Sequence, residues 1–401
     1  MNEVNAAHIM ALDKESVMQT YGRLPIVLAK GQGAKVWDVN GREYLDFLAG
    51  IAVCGLGHCH PTVTKAIQDQ AETLVHVSNI FYNTQQPVLA SKLTALCGME
   101  RAFFQNSGAE ANECAIKIAR KWGKAHGGEN CNEIITFHGS FHGRTLATIT
   151  ATAQEKYQAP FTPLPEGFIY AHVGDIKGLD EMITDTVCAV MIEPIQGESG
   201  VRPVPTEFMH AIRALCDESG ILMICDEVQT GIGRTGSFLA SQVVGVVPDI
   251  ITLAKGVANG VPMGVCLARG EAANTLVPGD HGSTFGGQPL ACAAALAVLD
   301  VLENDNILEN VAKVGGYFQQ ELSKLIVEFP EKVKEVRGIG LMIGLELAVP
   351  QARAVLQGLL DHNIIANAIG DNVLRFLPPL IITTEDCDQV VTALREILSQ
   401  E

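Results

Sequence analysis

The chain has no surplus of positive charge: 28 Lys and Arg stand against 45 Asp and Glu, a net charge of −17 over 401 residues. No basic stripe is visible, which argues against nucleic acid as a partner. An anionic ligand would have to be held by local donors against the field of the whole molecule. The 11 Cys are odd in number and never spaced as CxxC, so neither a zinc ribbon nor a disulfide frame is expected. Cys54, Cys59, Cys114, Cys225 and Cys266 sit in apolar or mixed runs and read as free thiols of a cytoplasmic protein. An apolar run of membrane length and a basic-then-apolar leader are both missing, so no membrane association is expected. Internal repeats and low-complexity tracts are missing too, as are the Gly-Lys-Ser/Thr ending of a P-loop and the Gly-x-Ser-x-Gly elbow of a serine hydrolase.

What remains is a composition of 47% hydrophobic and 18% charged residues, that of a well-buried enzyme. The length suffices for a large core and a second domain, at roughly 100–200 residues per domain. Residues 1–20 read as a polar lead with one helix. Residues 26–48 read as an antiparallel meander, with Asn40-Gly41 as its hairpin turn. From 60 to 300, helix-period stretches (62–75, 86–97, 109–126, 206–219, 286–304) alternate with short apolar strands at 101–104, 133–137, 189–192, 222–225, 250–253 and 263–267. Such alternation predicts an α/β fold, a mainly parallel central sheet with helices on both faces. After 305, long helices and strands at 340–347, 364–367 and 373–376 suggest a smaller α+β domain. The expected division is 1–60 as N-terminal segment and meander of the small domain, 61–304 as the large domain, and 305–401 as the C-terminal part of the small one.

In such a sheet, ligands bind where strands end and helices begin, and functional-looking residues cluster at these edges. Lys255 closes the apolar run Ile250-Ile251-Thr252-Leu253-Ala254 and precedes Gly256. An amine partly stripped of water has a lowered pKa and suits a Schiff-base lysine; the plainer alternative is a strand-end Lys whose head snorkels into water. Asp226 and Glu227 end another apolar strand, where a carboxylate is costly unless paired; a protonated pyridine nitrogen is a suitable partner. A metal is the alternative, but no His stands at ligand spacing in Asp226-Glu227-Val228-Gln229-Thr230-Gly231. Ser107-Gly108-Ala109 opens a helix and makes an anion site, or Ser107 is only an N-cap with Glu110 as its capping-box partner. Phe141 could stack on a flat ring, and Arg144 could fork a carboxylate. Glu198 lies in a Gly-flanked loop suited to a cationic neighbour, and Arg375 sits in an apolar strand as a buried carboxylate receptor or a solvated edge residue.

Several longer motifs accompany these residues: Trp37-Asp38-Val39-Asn40-Gly41, Gly57-His58-Cys59-His60-Pro61, Asn106-Ser107-Gly108-Ala109-Glu110-Ala111-Asn112, Phe141-His142-Gly143-Arg144-Thr145, Asp226-Glu227-Val228-Gln229-Thr230-Gly231-Ile232-Gly233-Arg234-Thr235-Gly236 and His281-Gly282-Ser283-Thr284-Phe285-Gly286-Gly287. Together, and essentially end to end, the chain resembles the class-III pyridoxal-phosphate aminotransferases of the ornithine/4-aminobutyrate type. The resemblance implies fold-type-I architecture, pyridoxal 5'-phosphate as cofactor, and a homodimer with shared active sites. It implies Lys255 as the Schiff-base lysine and proton carrier. Ser107, Gly108 and Ala109 would meet the phosphate, with Thr284 arriving from the partner subunit. Phe141 would stack on the ring, Asp226 would pair with the ring nitrogen, and Glu227, Val228 and Gln229 would lie alongside. Arg144, Ser283 and Tyr21 would meet substrate, and Glu198 would pair with Arg375 and move aside for glutamate. The implied substrates are small molecules: an acylated diamine, N2-acetylornithine foremost, and 2-oxoglutarate. Ornithine-specific relatives commonly carry an aromatic where Ile51 lies, and Gln288 replaces the more usual Asn. Two readings from other classes compete. One is a non-catalytic binding paralogue, against which the intact Lys255 and Asp226 speak. The other is a nicotinamide oxidoreductase on Gly231-x-Gly233-x-x-Gly236, which would need a ribose-binding acid near where Lys255 stands.

Overall fold

A computed structural model describes residues 5–400. The apolar strands assemble into one seven-stranded sheet in the order Arg101–Gln105, Gly264–Ala268, Ile250–Leu253, Leu222–Asp226, Val187–Ile192, Glu133–Phe137 and Phe168–Ala171. Ile250–Leu253, Leu222–Asp226, Val187–Ile192, Glu133–Phe137 and Phe168–Ala171 run parallel, while Gly264–Ala268 is antiparallel to both its neighbours. The Phe168–Ala171 strand is an addition to the sequence reading. It is short, edge-placed and only partly covered, so it lacks the continuous apolar run that reveals the inner strands.

The side-chain period of two splits each inner strand between the two faces. Ala189, Met191 and Ile224 pack with Ala115, Ile118 and Ala119 of the helix Gly108–Gly127. Val190, Ile192, Met223 and Cys225 pack with Phe208, Ile212 and Cys216 of the helix Thr206–Ser219. Each helix repeats its apolar residues every three to four positions and so presents one stripe to the sheet.

The meander is present as Leu28–Gln32, Lys35–Asp38 and Glu43–Asp46. Its last strand pairs in parallel with Ile364–Ile365, Leu45 opposite Ile364. The two ends of the chain therefore share a sheet that no sequence-local pattern indicates. A second antiparallel sheet joins Val333–Ile339, Met342–Leu347, Val373–Phe376 and Asn367–Ile369. The expected single strand at 340–347 is thus a hairpin whose first arm, largely exposed or half-buried, has no apolar signature.

Directly after the meander the backbone does something L-residues avoid. Ala49, Gly50, Ile51 and Ala52 all have φ between +50° and +64°, a turn of left-handed helix. Three of the four carry a Cβ, and each such residue costs roughly 1–2 kcal/mol.

Candidate active site

The parallel strands deliver their C-terminal ends to one cavity of about 450 Å³. Asp226 ends the Leu222–Asp226 strand and pairs in register with Thr252 of the next one. Three residues beyond Thr252, Lys255 opens a short 3-10 turn with φ +48°. Ser107, Gly108 and Ala109 start the helix that follows Arg101–Gln105, and Phe141 and Arg144 follow Glu133–Phe137. All of these line the cavity, together with Val228 and Gln229.

Ser107 is the N-cap of a 20-residue helix, its Oγ accepting from the Glu110 N–H at 3.2 Å, and it also faces the cavity. The capping and anion-site readings therefore coexist. Gly108 has no space for a side chain, because a Cβ there would meet Val228 Cγ1 at 2.7 Å. The helix start is thereby pressed against the loop that follows Asp226.

The Asp226 carboxylate is buried and held by three donors. Asn112 Nδ2 lies at 2.7 Å and His142 Nδ1 at 2.8 Å from one oxygen, and the Val228 N–H donates to the other at 3.0 Å. Asn112 is itself fixed, donating to the His142 carbonyl at 2.7 Å and accepting from Thr252 Oγ1 at 2.7 Å. The sequence alone does not single out Asn112 or His142, although both lie in quoted motifs. The available signal was an amide among the buried alanines and cysteine of the helix face Ala111–Ala115.

Burial, helped by the charge of Arg375, lowers the pKa of Lys255 to about 8 against the opposing pull of Glu198. Glu193, another cavity residue not foreseen, is pushed well above the usual carboxylate range by burial and by the charge of Asp226. It accepts the Phe141 N–H at 2.8 Å and so fixes the loop that carries Phe141. The Arg144 guanidinium rests 4.2 Å above the Tyr157 ring and 5.4 Å from that of Phe141. Tyr157 had no sequence signal.

Arg375 is buried in the Val373–Phe376 strand, and its Nη1 lies 2.6 Å from Glu198 Oε1. Gln229 links the pair to the cavity, with its amide 3.4 Å from each partner. Burial alone would raise the pKa of Glu198, but Arg375, together with Lys255 and Gln229, outweighs it and holds that carboxyl below its ordinary value.

Six expected residues do not line this cavity: Glu198 and Arg375, which reach it only through Gln229, and Glu227, Ser283, Thr284 and Tyr21. Glu227 is a correction: as Asp226's neighbour in extended chain it points the other way, and its carboxylate is consumed by Thr230 Oγ1 and by the N–H groups of Ala240 at 3.0 Å and Ser241 at 2.7 Å. Ser283 stands at the rim, its Oγ accepting from Asn106 Nδ2 at 3.2 Å. Thr284 is exposed, and Tyr21 is 73% exposed. Gln288 caps the helix Pro289–Asn304 through the Leu290 N–H at 3.1 Å. No group of three or more His, Cys, Asp or Glu placed to hold a metal occurs among the described residues, and none of their helices is long and apolar enough to cross a membrane.

The fold and this arrangement of a desolvated lysine, a three-donor aspartate and a helix N-terminus define a family. The aminotransferase class-III profile matches residues 16–398, and the chain belongs to that family. It is 50% identical over 389 residues to an acetylornithine aminotransferase from Methanocaldococcus jannaschii, covering 97% of each chain. It is 48% identical to one from Caldanaerobacter subterraneus subsp. tengcongensis, covering 98% of this chain and 99% of that protein. Among solved structures, an ornithine aminotransferase from Toxoplasma gondii superposes with a TM-score of 0.94 at 35% identity, covering 98% and 95% of the two chains. An N-acetylornithine aminotransferase from Stenotrophomonas maltophilia does so with 0.83 at 38%, covering 97% and 98%.

Proposed function

We propose that this aminotransferase moves the terminal amino group of N2-acetylornithine to 2-oxoglutarate, with pyridoxal 5'-phosphate as cofactor, in arginine biosynthesis. The observation that carries the reading is Lys255, an amine with its pKa lowered to about 8, in one cavity with Asp226. The donor set fits the cofactor group by group. The N–H groups at Ser107–Gly108 suit a phosphate, Phe141 a flat ring and Asp226 a protonated ring nitrogen. His142 Nε2 is buried without a partner, while the Nδ1 edge of the same ring supports Asp226. When bound, pyridoxal phosphate supplies an aldehyde that captures amines and a ring that spreads negative charge.

The protein's own part is proton handling and placement. Lys255 Nζ, whose lowered pKa of about 8 makes the neutral amine accessible far more readily than an ordinary lysine does, would take the proton from the carbon that bears the amine and return one on the other side of the exchange. Asp226, oriented by Asn112 and His142, keeps its carboxylate facing the cavity. Arg144 receives the α-carboxylate of the diamine. Arg375, covered by Glu198 while a cationic or acylated donor is bound, is uncovered for the α-carboxylate of glutamate, which makes one pocket serve two substrates.

The dimer belongs to the same reading. Ile80, Phe81 and Tyr82 are 84%, 68% and 102% exposed and Phe285 60%, an apolar cluster of the kind that marks an interface. Thr284 and Tyr21, outside their own chain's cavity, would then complete the partner's. We assign 61–304 to cofactor binding and 1–60 with 305–401 to a smaller unit, on the strength of the shared Leu45–Ile364 pairing. The free thiols suit a reducing cytoplasm. The test is steady-state kinetics with N2-acetylornithine, N-succinylornithine, N-succinyl-diaminopimelate, ornithine and 4-aminobutyrate, each with 2-oxoglutarate. Acetylornithine should show the highest kcat/KM; a different winner would replace it as donor.

A further inference from the structure

The left-handed turn at 49–52 is held by a pair outside the catalytic set. Asp46 is buried, and one of its oxygens accepts the Leu48 N–H at 2.9 Å and the Ala49 N–H at 2.8 Å, capping the turn at its start. Its other oxygen lies 2.7 Å from His58 Nε2. His58 is anchored in turn, exchanging two backbone hydrogen bonds with Gly33 of the meander at 2.8 and 2.9 Å. Asp46 and Cys54 raise the pKa of His58 to about 10, so it faces Asp46 as a cation at neutral pH.

The turn so clamped lies between the two halves of the active site. Ala52 O lies 3.8 Å from the position of a Cβ on Gly256, the residue after Lys255. Just beyond the turn, Asn259 is bonded to the Leu56 N–H and to the Gly57 carbonyl, both at 2.9 Å. On the other side, the Leu377 N–H donates to Phe47 O at 2.8 Å, two residues after Arg375. Val53 lines the cavity, and Ile51, two residues before it, is 39% exposed. A backbone of this kind persists only where its surroundings over-determine it.

We propose that Asp46 and His58 are positioning residues for the amino donor: they hold the left-handed turn, and with it Val53, at the cavity, so that the turn helps to seat the donor. This rests on the aminotransferase reading above. Neither residue touches the reacting atoms. Their loss acts on donor binding, and leaves cofactor capture by Lys255 and glutamate binding by Arg375 in place.

The test compares His58→Leu, which cannot donate to Asp46, with His58→Gln, whose amide can. In the holoenzyme, His58→Leu should raise KM for the amino donor about tenfold, while kcat, KM for 2-oxoglutarate and the cofactor's visible absorbance stay within about twofold. His58→Gln should recover most of the donor KM. Gly50→Ala tests the turn without touching the pair. Its Cβ has room, with Val53 Cβ at 3.7 Å as the nearest atom, but φ is +64°, and donor KM should rise about threefold. Equal changes in both KM values, absorbance and kcat falling together, no rescue by Gln, or an unaltered donor KM in Gly50→Ala would each overturn the proposal. KM ratios are read on whichever donor the wild type prefers, so a wrong choice of donor above and a wrong role for the pair give different results.

Discussion

Arg375 and Glu198 form an ion pair, 2.6 Å between Nη1 and Oε1, in which Arg375 is buried and Glu198 partly so, and each partner is also within 3.4 Å of the Gln229 amide. A buried guanidinium needs such a partner. In the proposed exchange a substrate carboxylate would take the place of Glu198, so that Arg375 would trade one anion for another.

Arg375→Lys should slow the glutamate/2-oxoglutarate half-reaction about tenfold to a hundredfold, since a lysine cannot form the two-pronged contact, worth roughly 1.5–3 kcal/mol to a charged group. The acylornithine half-reaction should be spared by comparison, and Arg144→Lys should show the reverse preference. Glu198→Ala should improve glutamate as donor. Single-turnover traces of both half-reactions in the three variants check this, and equal slowing of both by Arg375→Lys would reduce Arg375 to a structural charge.

Lys255→Ala should abolish turnover with the far-UV circular dichroism unchanged. The visible absorbance of the cofactor-loaded enzyme should be lost, and borohydride should no longer fix cofactor to the chain. Turnover at the wild-type rate would exclude Lys255 from the chemistry.

The same lysine predicts a pH effect on the cofactor-free protein. Its folded pKa of about 8 is below the ordinary value of 10.5, so between those values the unfolded chain holds the proton and the folded chain does not. Stability from this group therefore rises as pH climbs from about 8 to 10.5, and below 8 the full penalty of a buried ammonium applies. Lys255→Met should raise Tm at pH 7, with the gap narrowing toward pH 10.5. A pH-independent gap would show the amine to be solvated.

Asp226→Asn should still take up cofactor but lose catalysis by several orders of magnitude in both half-reactions, because an amide cannot stabilise a protonated ring nitrogen. Near-normal rates would make Asp226 a structural anchor for Asn112 and His142.

Sedimentation should find no active monomer at assay concentrations. Tyr82→Asp, at the most exposed apolar position of the cluster, should dissociate the protein. Thr284→Ala should weaken cofactor binding about tenfold or more, at roughly 1.5–3 kcal/mol for a hydrogen bond to a charged group, while leaving the oligomer intact. A fully active monomer would remove Thr284 from the site.

The sequence by itself determined which segments become buried strands and which residues stand at their ends. Apolar runs such as Ile250–Leu253 and Leu222–Asp226 cannot stay in water, and a Lys or Asp at the end of one has nowhere to be except the edge of the core. Lys255, Asp226 and Ser107 were legible for that reason. The direction of a side chain at a strand end was not: Asp226 and Glu227 are adjacent acids, and only the alternation of extended chain sends one into the cavity and the other to Ser241. Partners far apart in the chain are not encoded in any local pattern. Asn112 lies 114 residues from Asp226 and gave no sign of the meeting, and the pairing of Arg375 with Glu198, 177 residues away, was expected only through the family resemblance. The left-handed turn at 49–52 is the extreme case. Alanine and isoleucine prefer the opposite hand, so that conformation exists only because Asp46, His58 and the packed segments around them leave the backbone no other place to go.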